Sequence, residues 1–129
     1  QEASENLANV YYANNQPEKA CEIYSTVYKK FPSAFKDFAN YGMALYDTKQ
    51  FQAAAEMLEH ALDDNPDDEA ILAKLALSYQ NVSENDKALE TFKKVFEINP
   101  KLVALKFDYA NLLGNMDKNE EAIEQYKEI

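Results

Sequence analysis

Three prolines recur at a fixed spacing along the chain. Pro32, Pro66 and Pro100 lie 34 residues apart. Proline lacks a backbone N–H and clashes with the preceding helical turn, so each of these residues indicates the end of a helix. A fixed period of this length predicts that the chain repeats one structural unit, and it constrains the fold more than any local motif does.

Divided at this period, the chain gives four blocks that align without a gap. They are residues 1–34, 35–68, 69–102 and an incomplete 103–129. We call each residue's place in its block its repeat position. Small residues occupy repeat positions 8 and 20, namely Ala8, Gly42, Ala76 and Ala110, then Ala20, Ala54, Ala88 and Ala122. Large apolar residues occupy positions 7, 11 and 24, namely Leu7, Tyr41, Leu75 and Tyr109, then Tyr11, Leu45, Tyr79 and Leu113, then Tyr24, Leu58, Phe92 and Tyr126.

The spacing of these residues predicts two helices in each block. Repeat positions 4, 7, 8 and 11 fall on one face of a first helix, and positions 20, 24 and 27 on one face of a second. Small residues let the two backbones approach, and large ones fill the space beside them. One helix pair cannot cover its own apolar face, so neighbouring pairs must stack. The expected fold is an all-α solenoid of about eight helices.

This pattern resembles the tetratricopeptide repeat, whose 34-residue signature is W-x2-L-G-x2-Y…A-x3-F…P. The resemblance covers the whole chain and rests on repeat positions 7, 8, 11, 20, 24 and 32. The position of the signature Trp departs from it, because it holds Ser4, Phe38, Leu72 and Lys106. The resemblance implies a right-handed solenoid of stacked antiparallel helix pairs, with residues 1–129 forming a single array.

The two ends of the chain suggest a piece of a longer protein. The first residue is Gln rather than Met, and the fourth block stops at repeat position 27. Its last helix carries Ile123, Tyr126 and Ile129 with nothing after them in sequence. Repeat arrays need a polar cap at their ends. We therefore expect an array cut at this edge, or an edge covered by another chain, which makes a homo-oligomer possible.

Charge and composition exclude two classes of partner. The net charge is −10, and all 13 basic residues are lysines. Such a chain repels phosphate backbones and anionic lipid head groups. No apolar run approaches the roughly 18 residues that a membrane span needs. We expect neither nucleic-acid binding nor membrane insertion. With Cys21 as the only cysteine, no internal disulfide forms; the compartment stays unknown, with the cytoplasm favoured.

The residues needed for catalysis or metal binding are missing from the sequence. The chain has no second histidine beside His60, and its one cysteine, Cys21, is remote from it, so we expect neither a zinc set nor a Cys–His pair. No Gly-rich phosphate loop is present. We expect no enzyme activity, no cofactor and no metal. If the full-length protein is an enzyme, this segment would be its targeting arm, and the catalytic residues would lie elsewhere.

The acidic stretch at residues 63–69, DDNPDDE, tests the metal question directly. A calcium loop that begins at Asp63 needs Gly at its sixth residue and Glu at its twelfth. The chain has Asp68 and Lys74 there, so a calcium loop is excluded. We expect instead that Asp67, Asp68 and Glu69 cap the helix that follows Pro66, since carboxylates accept from free N–H groups at a helix start.

The resemblance places the binding surface on the first helix of each pair, which lines the concave side of the array. Repeat positions 2, 5, 6, 9, 12 and 13 should face this groove. A solvated helix face would carry Lys and Glu, whereas amide, aromatic and aliphatic residues dominate here. The predicted groove residues are Asn6, Asn9, Tyr12, Asn40, Met43, Tyr46, Lys74, Leu77, Phe107 and Asn111.

These residue types fit an extended peptide. Asn donates and accepts hydrogen bonds, which suits a peptide backbone of any sequence. Tyr12 and Tyr46 supply apolar area with a hydrogen-bonding tip. An equally open interpretation is that both tyrosines pack mainly against neighbouring helices. The sequence therefore predicts a non-catalytic scaffold that binds a partner's peptide or helix in its groove; the alternative is self-association through the C-terminal edge.

One known binding mode of the family is a clamp of Lys, Asn and Arg for C-terminal carboxylates of chaperones. The matching residues here are Glu5, Asn9, Asn40, Ala70 and Lys74. Glu5 would place a negative charge against the incoming carboxylate, and Ala70 donates nothing. We exclude this clamp, but keep the strip formed by Asn9, Asn40 and Lys74 as a peptide contact.

Overall fold

The computed structural model describes residues 1–129 and contains helices but no strands. The predictions of an all-α fold and of about eight helices are confirmed. The helices are α1 (Glu2–Ala13), α2 (Pro17–Lys30), α3 (Phe38–Asp47), α4 (Phe51–Asp64), α5 (Glu69–Asn81), α6 (Asn85–Ile98), α7 (Val103–Asn115) and α8 (Asn119–Lys127).

The chain divides into two compact units, residues 1–66 and residues 67–129. In unit 1, α1 packs on α2 and α3 on α4, while α2 also packs on α3. In unit 2, α5 packs on α6 and α7 on α8, while α6 also packs on α7. Within each unit the pairing follows the 34-residue period, as predicted. The organisation of all four repeats as a single array stays a prediction.

The turn within every helix pair uses one left-handed residue. The four residues at repeat position 15 have φ between 59° and 64°, and none is glycine. The backbone N–H at position 16 donates to the carbonyl at position 11 in all four turns, at 2.8–2.9 Å. This bond closes the C-terminus of the first helix. The left-handed residues are Asn15, Lys49, Ser83 and Asp117.

Small residues form the contact between the helices of each pair. Repeat positions 8 and 20 are buried in all four repeats, as the alignment predicts. Position 24 is fully buried in the first three repeats, where it is occupied by Tyr24, Leu58 and Phe92. The lone Cys21 is also buried and acts as a small packing residue.

Two large residues depart from the predicted core. Leu7 on α1 is 48% exposed, although Tyr41 at the same repeat position is buried. Tyr126 on α8 is 43% exposed, in contrast to Tyr24, which is fully buried. Tyr41 lies on α3, which packs on both α2 and α4, whereas Tyr126 lies on α8, which packs on α7 alone.

The start of α5 confirms part of the predicted capping. The Asp68 carboxylate accepts from the backbone N–H of Ile71 at 3.1 Å, which satisfies one free donor of the helix. Glu69 accepts instead from the side-chain amide of Asn99, at 3.0 Å. Asp68 therefore has the capping role.

Candidate functional site

The predicted groove residues lie on the first helix of each pair. Six are in unit 1, on α1 and α3, and four are in unit 2, on α5 and α7. All ten are exposed or half-buried, and only Lys74 carries a charge. Phe107 is the most prominent apolar residue among them, since 55% of its surface is exposed. These ten residues are thus accessible and largely uncharged.

In unit 1, the amide of Asn9 makes three hydrogen bonds within the protein. Its Oδ1 accepts from the hydroxyl of Tyr24 and from Nδ2 of Asn40, the latter at 3.1 Å. Its Nδ2 donates to Oδ1 of Asp37 at 3.3 Å. Asn9 therefore positions Asn40 and leaves little capacity of its own for a peptide. Asn6 is exposed, and its amide makes no hydrogen bond within the protein.

The bond between Asn9 and Tyr24 recurs in the fourth repeat. The hydroxyl of Tyr126 donates to Oδ1 of Asn111, and these residues hold the same repeat positions, 24 and 9. The two intervening repeats pair apolar residues at these positions, Met43 with Leu58 and Leu77 with Phe92. Asn at position 9 thus accompanies Tyr at position 24. The sequence contains this correlation, which identifies both asparagines as partners of the tyrosine at repeat position 24.

Tyr12 and Tyr46 combine the two roles left open by the sequence. Both rings pack against the core of unit 1 while remaining half-exposed. The ring of Tyr46 lies edge-on to Phe51, with 5.3 Å between centroids. The Tyr12 hydroxyl makes no hydrogen bond within the protein, and burial, together with the charge of Asp47, raises its pKa. Its O–H therefore stays protonated and available as a donor.

Repeat position 5 holds the exposed Phe107 in the fourth repeat, but in the first repeat the expectation that this position faces the groove is wrong for Glu5. Its side chain is only 3% exposed. One carboxylate oxygen accepts from the backbone N–H of Lys36 at 3.0 Å, and the other from Nε2 of Gln1 at 2.8 Å. The residues before α3 are not helical, so the Lys36 N–H needs a side-chain acceptor. The carboxylate of Glu5 therefore does not stand free to repel a ligand, although this position still lacks the lysine of the clamp.

Glu5 and Asp37 form a hydrogen-bonded carboxyl pair at the start of α3. Burial raises the pKa of Glu5, but hydrogen bonds from the Lys36 N–H, Gln1 and Asp37 outweigh it and hold that pKa below its usual value. Burial and the bond to Glu5 raise the pKa of Asp37, and the bond from Asn9 only partly offsets this. Of the two carboxyls, Asp37 therefore has the raised pKa and holds a proton to higher pH.

We expect Asp37→Asn to stabilise unit 1 at neutral pH. Folded Asp37 holds its proton more tightly than the unfolded chain does, so its ionisation costs stability as pH rises through the folded pKa. Asn stays neutral, keeps the Oδ1 acceptor for Asn9 and can donate to Glu5. A rise of roughly 2–4 °C in Tm near pH 7, from about 1 kcal/mol or less, is expected by circular dichroism.

The pH profile of this gain is the decisive part of the measurement. Below the folded pKa of Asp37 the wild-type carboxyl is itself neutral, so the advantage of Asp37→Asn should vanish in acid. Asp64→Asn, at an exposed residue, is the matched control and should show no such profile. A gain that is constant with pH would show that the proton on Asp37 does not contribute.

Side chains that could ligate a metal do not cluster in the folded chain. No group of three or more His, Cys, Asp and Glu side chains is placed to hold a metal ion. His60 stacks on the ring of Phe38, with 4.9 Å between centroids. Burial raises the pKa of the Cys21 thiol, which opposes thiolate formation. No helix has the length and apolar content to cross a bilayer.

Comparison with solved structures identifies the architecture. MamA from Desulfovibrio magneticus RS-1, residue 41 to the end, superposes with a TM-score of 0.84 at 20% identity, over 98% of this chain and 72% of that chain. MamA of AMB-1 superposes with a TM-score of 0.87 at 18% identity, over 96% of this chain and 73% of that chain. At these identities the likeness shows the fold alone. No curated protein matches the sequence.

The sequence profile described as tetratricopeptide repeat matches residues 3–129. This range includes all four blocks, the turns at repeat position 15 and the paired small residues at positions 8 and 20. The chain therefore belongs to the tetratricopeptide repeat family.

Proposed function

We propose that the chain binds a peptide or a helix of a partner protein on the exposed faces of its first helices. The family and the fold support a protein-interaction scaffold. The observation that carries the finer proposal is that all ten predicted groove residues are accessible and nine of them are uncharged. A helix face that meets only solvent carries charged side chains.

The two units offer different chemistry to a ligand. In unit 1, Asn6 and the hydroxyl of Tyr12 have free hydrogen-bonding capacity beside the half-exposed Met43. These groups suit a peptide backbone with apolar side chains. In unit 2, Leu77 and the exposed ring of Phe107 offer mainly apolar area. Each face is therefore proposed as a contact surface in its own right.

Phe107→Asp tests the proposal on the unit 2 face. Partners captured by the immobilised wild-type chain are identified by mass spectrometry, and the affinity of the captured partner is then measured with purified proteins. Removal of an exposed aromatic anchor and addition of a charge should weaken binding at least about tenfold, or about 1.4 kcal/mol. Tyr12→Ala should weaken binding by a similar factor if the same partner also contacts unit 1.

Ile98→Asp is the matched control, because Ile98 is 42% exposed but lies at the end of α6, away from the first helices. It should bind like wild type. Helicity of all variants should be unchanged by circular dichroism. If Phe107→Asp and Tyr12→Ala both retain full affinity, the first-helix faces are not the binding site.

Self-association is the second candidate, favoured by one observation. Ile123, Tyr126 and Ile129 are all exposed at the end of the chain, whereas repeat positions 24 and 27 are buried in the first three repeats. Sedimentation of the wild-type chain over a concentration series, run beside the binding experiment, separates the two. A concentration-dependent dimer would support self-association, and a monomer at the highest concentration would exclude it.

A further inference from the structure

Unit 2 contains a cavity of about 440 Å³ that none of the predicted groove residues lines. It lies between α6, α7 and α8. Phe96 and Tyr109 form an aromatic wall, with 5.2 Å between their ring centroids, and Pro100 closes one side. Lys106, whose side chain is only 15% exposed, and Glu128 also line the cavity, and Nζ of Lys106 bonds Glu128 Oε2 at 3.1 Å. The lining thus combines two aromatic rings with an ion pair.

The repeat alignment identifies the equivalent region of unit 1. Residues 68 positions apart correspond, so Tyr28 and Tyr41 take the places of Phe96 and Tyr109, and Phe38 takes that of Lys106. In unit 1 the region is filled by aromatic side chains. Phe35, which is buried, has its centroid 5.4 Å from Tyr28, 5.8 Å from Tyr41 and 5.1 Å from Phe38.

A smaller cavity of about 330 Å³ remains in unit 1, beside Tyr28 and His60. Tyr41 does not line it, and neither do the two phenylalanines. Tyr109 therefore lines the cavity in unit 2, whereas its equivalent in unit 1, Tyr41, does not line the smaller cavity. The two units differ in whether the chain fills this space with its own rings.

The two units differ here because their third helices, α3 in unit 1 and α7 in unit 2, begin at different repeat positions. In unit 1, α3 begins at Phe38, so Phe35 lies outside the helix and its segment folds inward. In unit 2, α7 begins three repeat positions earlier, at Val103, which is 47% exposed. Lys106, at the repeat position of Phe38, bonds Glu128 through its amine and supplies no ring. Unit 2 therefore lacks both rings that close the equivalent space.

We infer that the unit 2 cavity accepts a phenylalanine side chain from a partner polypeptide, in the place that Phe35 and Phe38 hold in unit 1. The volume suffices, since an apolar protein cavity of about 150 Å³ binds benzene. Edge-to-face contacts with Phe96 and Tyr109 would orient the incoming ring, as the corresponding contacts orient Phe35. The site is independent of the first-helix faces, so it stands even if the proposed function fails.

The test uses N-acetyl-phenylalanine methylamide as the probe, added to the ¹⁵N-labelled chain and followed by heteronuclear NMR. Shift changes should centre on Phe96, Tyr109 and Gln125, with a Kd in the range of about 1–10 mM that such a small ligand allows. Nuclear Overhauser contacts should join the probe ring to the rings of Phe96 and Tyr109. N-acetyl-alanine methylamide should bind at least about tenfold more weakly.

Lys106→Phe is the decisive variant, because it places in unit 2 the residue that unit 1 has at this repeat position. It should abolish probe binding while leaving the amide spectrum of unit 1 unchanged. Lys118→Phe adds the same ring at an exposed residue outside the cavity and should bind the probe like wild type.

Three outcomes would overturn the inference. They are no localised shifts in the wild-type chain, equal binding of the alanine probe, and full binding by a folded Lys106→Phe. The Overhauser contacts are measured on the wild-type chain alone, so they decide the question even if Lys106→Phe does not fold.

Discussion

Phe92→Ala should lower the free energy of unfolding by about 3–5 kcal/mol, the range observed when a fully buried aromatic ring is truncated. Phe92 has no solvent exposure, and its ring centroid lies 5.6 Å from that of Tyr109. The ring lies on α6, which packs against both α5 and α7, so the cavity left behind would be enclosed by packed helices. Urea unfolding monitored by circular dichroism measures the loss.

Tyr126→Ala is the matched control for Phe92→Ala, since Tyr126 holds the same repeat position in the fourth repeat. It removes a ring that is 43% exposed and a hydrogen bond to Asn111. We expect a cost of about 1 kcal/mol or less. Equal costs for the two variants would mean that packing by a following helix does not determine the energetic weight of this position.

The contrast between Phe92 and Tyr126 shows what the repeat alignment could predict. The alignment gives the helix face of each residue, because helical periodicity depends only on local spacing. It thus predicted the small residues at positions 8 and 20 and the eight helices. It could not predict burial at the outer helices, because that depends on whether another helix packs there. Leu7 and Tyr126 are exposed, although Tyr41 and Tyr24 at the same repeat positions are buried.

A gapless alignment also conceals changes in backbone conformation. Repeat position 1 is helical at Val103 but lies outside the helix at Phe35. Because of this shift, the N–H of Lys36 has no helical acceptor and donates to the carboxylate of the buried Glu5. The same shift places Phe35 in the core. Neither contact could be inferred from spacing, because both depend on the path of a short non-helical segment.

The hydrogen bonds of the two groove asparagines at repeat position 9 are predictable from the sequence. Asn at position 9 occurs with Tyr at position 24 in repeats 1 and 4, which predicts the bonds of Asn9 to Tyr24 and of Asn111 to Tyr126. Lys106 at the position of the signature Trp was likewise a sign of an incompletely filled core. Whether a cavity results there depends on side-chain packing, which composition does not specify.

Gly42→Ala should lower the free energy of unfolding by about 1–2 kcal/mol, as the balance of two opposing terms. A Cβ at Gly42 would lie 2.7 Å from Cγ and Cδ2 of Leu58, and 3.2 Å from its backbone nitrogen. Leu58 is fully buried, so α3 and α4 would have to separate. Overpacking of this kind costs about 1–3 kcal/mol. The higher helix propensity of Ala returns at most about 1 kcal/mol.

Gly114→Ala provides the same change without the contact, and it should have the opposite sign. A Cβ at Gly114 would meet no atom within 4 Å, and the residue lies in α7. Ala should therefore stabilise the chain by up to about 1 kcal/mol, less any fraying at the end of the helix. Urea unfolding of both variants separates propensity from packing. If Gly42→Ala also stabilised the chain, the close approach of α3 to Leu58 would not be what requires glycine at this repeat position.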